Sequence, residues 1–320
     1  MNDPAQNLRA LSCADDYDPD SMPVAKAREV IARFLQPVTA VERLAIRAAL
    51  GRVLAEDVVS PFNVPARDNS AMDGYALRFA DLKPDGEVTL RNIGSSFAGA
   101  PFQGTVGAGQ CVRIMTGGVV PAGADTIVMQ EHVKAEQDRV TVGPGHRKGQ
   151  NLRRAGEDIK IGQIALKRGL PLRPAEVGLI SSLGIGEVMV YRRLRVAFFS
   201  TGDELVSIGV QPQEGQIYDS NRYTIHGMLT RLGCEVLDLG VVRDDPKLLE
   251  KAFHGAAAAA DVVITSGGVS VGEADFVKDL LNRLGEVVFW KIAMKPGRPL
   301  AYGRIGNAHF FGLPGNPVSV

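Results

Sequence analysis

Two carboxylates, Glu273 and Asp275, sit at the rim of a glycine-rich run, DVVITSGGVSVGEADFVKDLL, that spans Asp261 to Leu281. The run resembles a phosphate-binding turn. Ser266, Gly267, Gly268, Ser270 and Gly272 would let the backbone approach an anion closely and donate N–H groups to it. It lacks GxxxxGK[ST], which disfavours a P-loop nucleotidase. Two other polar strings end apolar runs in the same third of the chain: STGDEL, with Ser200, Thr201, Gly202, Asp203 and Glu204, and VVRDDP, with Asp244 and Asp245. Each acid alone reads equally well as a helix cap. Together at neighbouring strand ends, they would repel a phosphate unless a hard cation lay between. Mg²⁺, held by one or two carboxylates plus phosphate oxygens, fits that pattern.

Cations come next, in FWKIAMKPGRPLAYG. Pro296, Gly297 and Pro299 stiffen a turn that presents Lys295 and Arg298, with Lys291 just before it. Lysine offers an oxyanion a point charge and arginine a fork. GLPGNPVS, from Gly312 to Ser319, is a second proline-set turn, suited to walling a pocket for a flat ligand. Earlier in the chain, PARDNSAMDGYA carries Asp68, Asn69, Ser70, Asp73 and Tyr75, and Asp73-Gly74 reads as a turn. RIMTGG adds Thr116 and Gly117, and RRAGEDI adds Arg153, Arg154, Glu157 and Asp158. No nucleophile motif is read in the chain, GxSxG included, and the five histidines form neither HExxH nor HxH, so metal-assisted attack on a phosphate is expected over covalent catalysis.

These groups need scaffolds. The last third alternates RVAFFST, EVLDLGVV, DVVITSGG, VVFWKIA and HFFGLPG with amphipathic stretches at Asn221–Leu232, Pro246–Ala259 and Ala274–Leu284. Strict strand–helix alternation predicts a parallel sheet covered on both faces, with ligands beyond the carboxyl ends of its strands. Between Pro61 and Gly149, short runs (VTLRNIG, QCVRIMTG, DTIVMQEHV, DRVTVG) punctuated by glycine and proline predict a β-rich domain. Apolar spacing predicts a helix over Val24–Leu35, a second over Ala40–Leu50 stopped by Gly51, and a third over Arg173–Leu183.

Composition excludes several classes. The 36 basic and 36 acidic residues of the 320 cancel, leaving no electrostatic footprint for nucleic acid or an anionic membrane. Cys13, Cys111 and Cys234 are far apart and read as reduced thiols. No apolar run suits a transmembrane helix, and the acidic start is unlike a signal peptide. A cytoplasmic protein of about two or three domains is expected. The strand rhythm also leads one to expect a helix after Val320, in a longer chain.

Read together and in order, DNSAMDGYA, RIMTGGVVPAGADTIV, RRAGEDI, FSTGDEL, GQIYDSNRY, ITSGGVSVGEADF and GLPGNPVS resemble the MoeA family, the molybdopterin molybdenumtransferases or molybdenum insertases. SGGVSVGEAD alone is shared with other molybdopterin-binding domains. The ordered set, from Val24 to the end, is specific. The resemblance implies a multidomain α/β fold. Residues 193–320 would form a three-layer molybdopterin-binding domain III with a mostly parallel sheet, and 61–149 a β-rich inserted domain II. Residues 24–60 and 150–192 would form a small, elongated α+β domain I used for dimerisation. Residues 1–23 would be a disordered tail, and a β-barrel domain IV is expected to be absent.

The family's chemistry is implied as well: Mg²⁺-dependent cleavage of the phosphoanhydride of adenylated molybdopterin, release of AMP, and insertion of molybdenum from molybdate. So is a homodimer whose sites lie between domain III of one subunit and domain II of its partner. Molybdopterin adenylyltransferase and acceptor molybdoenzymes would be its other partners. By matching position, the resemblance implies that Asp73, Thr116 and Asp158 would face the site from domain II and the neighbouring segment. Glu204, Asp244 and Asp275 would serve metal and phosphate, and Lys291 and Lys295 would pair with substrate anions. Ser200, Thr201, Gly202, Asp203, Ser266, Gly267, Gly268, Ser270, Gly272 and Glu273 would line the substrate. Pro314, Gly315, Asn316 and Pro317 would shape the pocket, and Arg298 stands where some relatives have lysine. Two alternatives share the fold: adenylation of molybdopterin or hydrolysis of a nucleotide-like anhydride, and a scaffold without catalysis.

Overall fold

The computed structural model describes residues 21–268, 280, 283–294 and 296–320, which fall into two compact units. One is Arg43–Val190; the other joins the residues up to Glu42 with Tyr191–Val320.

The second of these opens with helix α1 (Val24–Phe34). Its apolar spacing turns Ala27 and Val30 onto Val288, Phe289, Ile292 and Tyr302. The sequence reading grouped this helix with residues 150–192; the structure packs it on the α/β sheet described below.

In Arg43–Val190 the main sheet contains β1 (Gly74–Leu77), β2 (Val88–Ser96), β3 (Gln110–Ile114), β4 (Thr126–Met129), β5 (Val133–Glu136) and β6 (Arg139–Val142). The order is β4-β1-β3-β2-β6-β5, antiparallel except for β2 beside β3. Four of these strands are the expected runs, while β1 corrects an expectation. Asp73-Gly74 is not a turn: Gly74 opens β1, and a Cβ there would lie 2.0 Å from the Val128 carbonyl oxygen. The glycine permits close backbone approach. Because β1 is buried throughout, it lacks the alternation that would mark it as a strand.

Helix α2 (Pro174–Ser182) forms where expected, with proline at its first position. The Glu176 carboxylate accepts from the Arg173 backbone N–H at 2.9 Å. Ile180 of α2 shares a core with Leu54, Val58, Leu172, Leu183, Val188 and Val190. The helix expected at Ala40–Leu50 is absent. Val41–Ala45 is a strand with alternating burial, followed by a single tight turn at Ile46–Ala48. The Ile46 N–H is taken by the Gly186 carbonyl at 2.9 Å. Tertiary pairing here overrides local helix propensity.

The α/β unit holds β7 (Arg195–Thr201), α3 (Ser220–Arg231), β8 (Glu235–Val242), α4 (Pro246–Ala259), β9 (Val262–Ser266), β10 (Gly285–Lys291), β11 (Pro299–Ile305) and β12 (Ala308–Leu313). Sheet order is β8-β7-β9-β12-β11-β10. The first four run parallel, and β11 is antiparallel to both neighbours. Alternation along β7 puts Val196 and Phe198 against Ile225 and Leu229 of α3. Ala197 and Phe199 point instead to Leu249 and Phe253 of α4. The sheet is thus covered on both faces and mostly parallel, as expected. Strict alternation is broken by the β11–β12 hairpin, whose tight turn has Gly306 at φ +57°. Gly-Asn between apolar runs signalled that turn. Among the described residues no helix is long and apolar enough to cross a membrane.

Candidate functional site

β7, β8, β9 and β12 all end at one edge of the α/β sheet, and their polar loops meet there. Asn221, in the first turn of α3 and 6% exposed, joins them: its Nδ2 donates to Ser266 Oγ at 2.8 Å and to the Gly315 carbonyl at 2.9 Å. Asn221 thereby holds the ends of β9 and β12 beside α3. Gly267 has φ +92°, and a Cβ on it would lie 2.4 Å from the Thr201 carbonyl oxygen. Only glycine fits where the β7 and β9 loops touch. A pocket on the α3 side of this edge is lined by Thr201, Glu204, Asp219, Asn221, Ser266 and Gly315, among others.

On the α4 side a second, shallower pocket is lined by Asp203, Arg243, Asp244, Asp245 and Pro246. The two neighbouring aspartates have separate duties. Asp245 caps α4, accepting from the Lys247 and Leu248 N–H groups at 2.9 and 3.0 Å. Asp244 accepts the Thr201 hydroxyl, linking the loops after β8 and β7. Glu204 folds its carboxylate over Gly202, where a Cβ would lie 2.4 Å from Glu204 Oε2.

The expected cations stand at the same edge of the sheet, farther along it. Lys291 ends β10, in register with Pro299 at the start of β11, and Arg298 precedes that proline. The two proline-set turns abut: a Cβ on Gly297 would lie 3.6 Å from the Ser319 carbonyl oxygen. Pro314 is buried while Gly315, Asn316 and Pro317 are exposed. Asn316 Oδ1 accepts from the Val318 N–H at 3.1 Å. Ser270, Gly272, Glu273, Asp275 and Lys295 lie outside the described residues, as does most of the helix expected at Ala274–Leu284. Among the described residues no three His, Cys, Asp or Glu side chains are grouped to hold an ion.

In Arg43–Val190, three strings distant in sequence meet. Asp73 Oδ1 accepts from both the Thr116 N–H and the Thr116 hydroxyl, each at 2.7 Å. Those donors hold the Asp73 carboxyl below the usual carboxylate range, the backbone N–H contributing most. Asn69–Ser70 pairs with Leu152–Arg153, and the Gly117 N–H donates to the Ser70 carbonyl at 2.8 Å. Asp158 accepts from Arg153 at 2.5 Å, and Arg154 pairs with Asp68 at 2.8 Å. Beside Asp73, Arg113 lies over the Tyr75 ring, 5.0 Å from its centroid, and donates to Gln130.

Asp219, Asn221 and Arg113 were not singled out from sequence. GQIYDSNRY contained a signal for the first two, an Asp-Ser-Asn run where a helix begins. A further correction concerns nucleophiles. Gly268, Val269, Ser270, Val271 and Gly272 match the Gly-x-Ser-x-Gly spacing of a nucleophile turn, which the assignment of this loop to an anion passes over. Ser270 is outside the described residues. His309 begins β12, at the opposite end of the sheet, with its Nδ1 against the Tyr302 hydroxyl at 3.2 Å.

Residues 22–184 match the model of the "MoeA N-terminal region (domain I and II)", and 197–320 that of a "Probable molybdopterin binding domain". The chain is 51% identical to the molybdopterin molybdenumtransferase of Haemophilus influenzae over 295 residues, which are 92% of this chain and 72% of that protein. It is 38% identical to molybdopterin molybdenumtransferase 2 of Mycobacterium tuberculosis over 296 residues, 90% of this chain and 72% of that one. The crystal structure of the molybdopterin biosynthesis MoeA protein of Pyrococcus horikoshii OT3 superposes with a TM-score of 0.81 at 31% identity, covering 94% of this chain and 76% of that one. The chain belongs to the MoeA family, the molybdopterin molybdenumtransferases of molybdenum cofactor biosynthesis.

Proposed function

We propose that the chain takes adenylated molybdopterin and molybdate, opens the phosphoanhydride with release of AMP, and passes molybdenum to the dithiolene. The observation that carries this reading is the strand-end cradle. Asn221 joins Ser266 to Gly315, and Gly267 brings backbone against Thr201, leaving a polar pocket beside an acidic edge. Family membership supplies the substrate class.

The residues present fit Mg²⁺ by the chemistry of their donors. Glu204 and Asp244 are hard, exposed oxygen ligands at neighbouring loops, and one or two carboxylates suffice when substrate phosphate completes the shell. Glu204 and Asp244, with Asp275, would hold the ion, which would neutralise phosphate charge beside these acids. Thr201 orients Asp244 through its hydroxyl. Lys291 and Arg298 offer positive charge to the substrate's anionic groups. We further infer a homodimer in which Asp73, Thr116 and Asp158 act from the second copy.

Calorimetric titration of adenylated molybdopterin into the purified chain, with and without Mg²⁺, tests the reading alongside Asp244→Asn. Metal-dependent binding that the substitution weakens, with AMP released on adding molybdate, is the expected result. Binding indifferent to metal and substitution would sink the carboxylate–Mg²⁺–phosphate arrangement.

A further inference from the structure

Arg113 stands near the end of β3, just before Thr116, and is held at three points. Its backbone N–H donates to Asn92 Oδ1 on β2 at 3.2 Å. Its side chain shares a sheet face with that of Tyr75, its register partner on β1, and the guanidinium lies 5.0 Å from that ring's centroid. One guanidinium nitrogen donates to Gln130, the residue after β4. The Gln130 N–H in turn donates to the Asp73 carbonyl at 3.1 Å, so the residue that holds the guanidinium also holds the loop of Asp73. What Arg113 lacks is a carboxylate. Arg153 pairs with Asp158 and Glu157, and Arg154 with Asp68. Arg113 is half-buried and forms no ion pair among the described residues. Its charge still reaches Asp73, whose carboxyl is held low first by the Thr116 N–H and, to a smaller extent, by Arg113. The bond to Gln130 leaves most of the guanidinium donors unused. A partly desolvated charge without a counter-ion is unfavourable, and an anion would complete it.

We propose that Arg113 binds an oxyanion of the substrates beside Asp73, donating to its oxygens through the guanidinium N–H groups that Gln130 does not use. The inference rests on the substrate reading above, which supplies two anions of like chemistry, the phosphate of the adenylate and molybdate. Both present neighbouring oxygens on a tetrahedral centre, which the planar fork of an arginine matches. Asp73 alone would repel either anion, and Arg113 offsets its charge. Stacking on Tyr75 and the bond to Gln130 fix the fork before the anion arrives, so little side-chain freedom is lost on binding. The plainer explanation is that Arg113 lids the apolar face where Tyr75, Leu77, Cys111 and Val128 pack. Its stem would then matter for stability, and its charge would not matter for binding.

The test titrates the purified chain by calorimetry with molybdate and with AMP, separately, in wild type, Arg113→Met and Arg113→Lys. Methionine keeps an apolar stem over Tyr75 and removes the charge, while lysine keeps the charge and removes the fork. At least one of the two anions is expected to bind wild type and to lose about tenfold or more in affinity for Arg113→Met, the effect of a lost charge-assisted hydrogen bond. Loss for molybdate alone assigns the site to molybdate, loss for AMP alone to the adenylate phosphate, and loss for both to either anion. If thermal melting shows Arg113→Met misfolded, Arg113→Lys decides, weaker binding supporting the proposal and unchanged binding overturning it. Wild type that binds neither anion, or a folded Arg113→Met that binds both as wild type does, also overturns it. Arg113-dependent binding without AMP release from adenylated molybdopterin would refute the proposed function and leave the oxyanion site standing. AMP release with binding indifferent to Arg113 would do the reverse.

Discussion

The Asn221 amide nitrogen donates to Ser266 Oγ at 2.8 Å and to the Gly315 carbonyl at 2.9 Å, so one side chain on α3 holds the loops that follow β9 and β12. Its burial makes both bonds costly to lose. Asn221→Ala should destabilise the α/β unit by about 1–3 kcal/mol, the range for leaving buried polar partners unsatisfied. Urea unfolding followed by circular dichroism measures this. An unchanged midpoint would mean the loops hold each other without Asn221.

Gly267 and Gly315 are adjacent but should respond differently to a methyl group. At Gly267 the positive φ and the 2.4 Å approach to the Thr201 carbonyl oxygen both oppose a side chain, so Gly267→Ala should cost about 1–3 kcal/mol. At Gly315 an added Cβ would meet only the Gly267 Cα at 3.7 Å, an ordinary contact. Gly315→Ala should fold with near-native stability and act on ligand binding if it acts at all. Comparing the two melting curves decides the matter.

Thr116 gives both of its donors to one Asp73 oxygen, which fixes the carboxylate without burying it. Thr116→Val removes the hydroxyl and keeps the backbone N–H. Under the proposed function, AMP release should fall by about tenfold or more, the effect of a lost hydrogen bond to a charged group. Thr116→Ser should restore most of it. Equal loss in the serine variant would indicate packing as the cause.

Acid should weaken the Arg43–Val190 unit through Glu176. The Arg173 side chain, with backbone N–H groups, holds this carboxyl at about 2 against an ordinary 4.5. A lowered folded pKa means that the unfolded chain takes up protons first as pH falls. The contribution is complete above pH 4.5 and disappears as pH falls toward 2. Urea midpoints across that window should converge for wild type and Glu176→Gln, with wild type the more stable at the upper end. Parallel curves would show that Glu176 does not titrate with unfolding.

Much of this protein was legible along the chain. Alternation of apolar runs with amphipathic stretches located α3, α4 and the four parallel strands, because burial on two sheet faces requires that pattern. The strings around Asp73, Thr116 and Asp158, and those at the strand ends, marked both clusters by residue type. What the sequence could not supply was partnership. That Asp245 is a cap while Asp244 turns to Thr201, that Gly74 belongs to a strand, and that Val41–Ala45 is extended were decided by neighbours distant in sequence. Asn221 gained meaning only when α3 came to rest across the ends of β9 and β12. Periodicity is a local consequence of which face is buried. Hydrogen-bond satisfaction depends on everything packed around a group, and only the tertiary structure determines that.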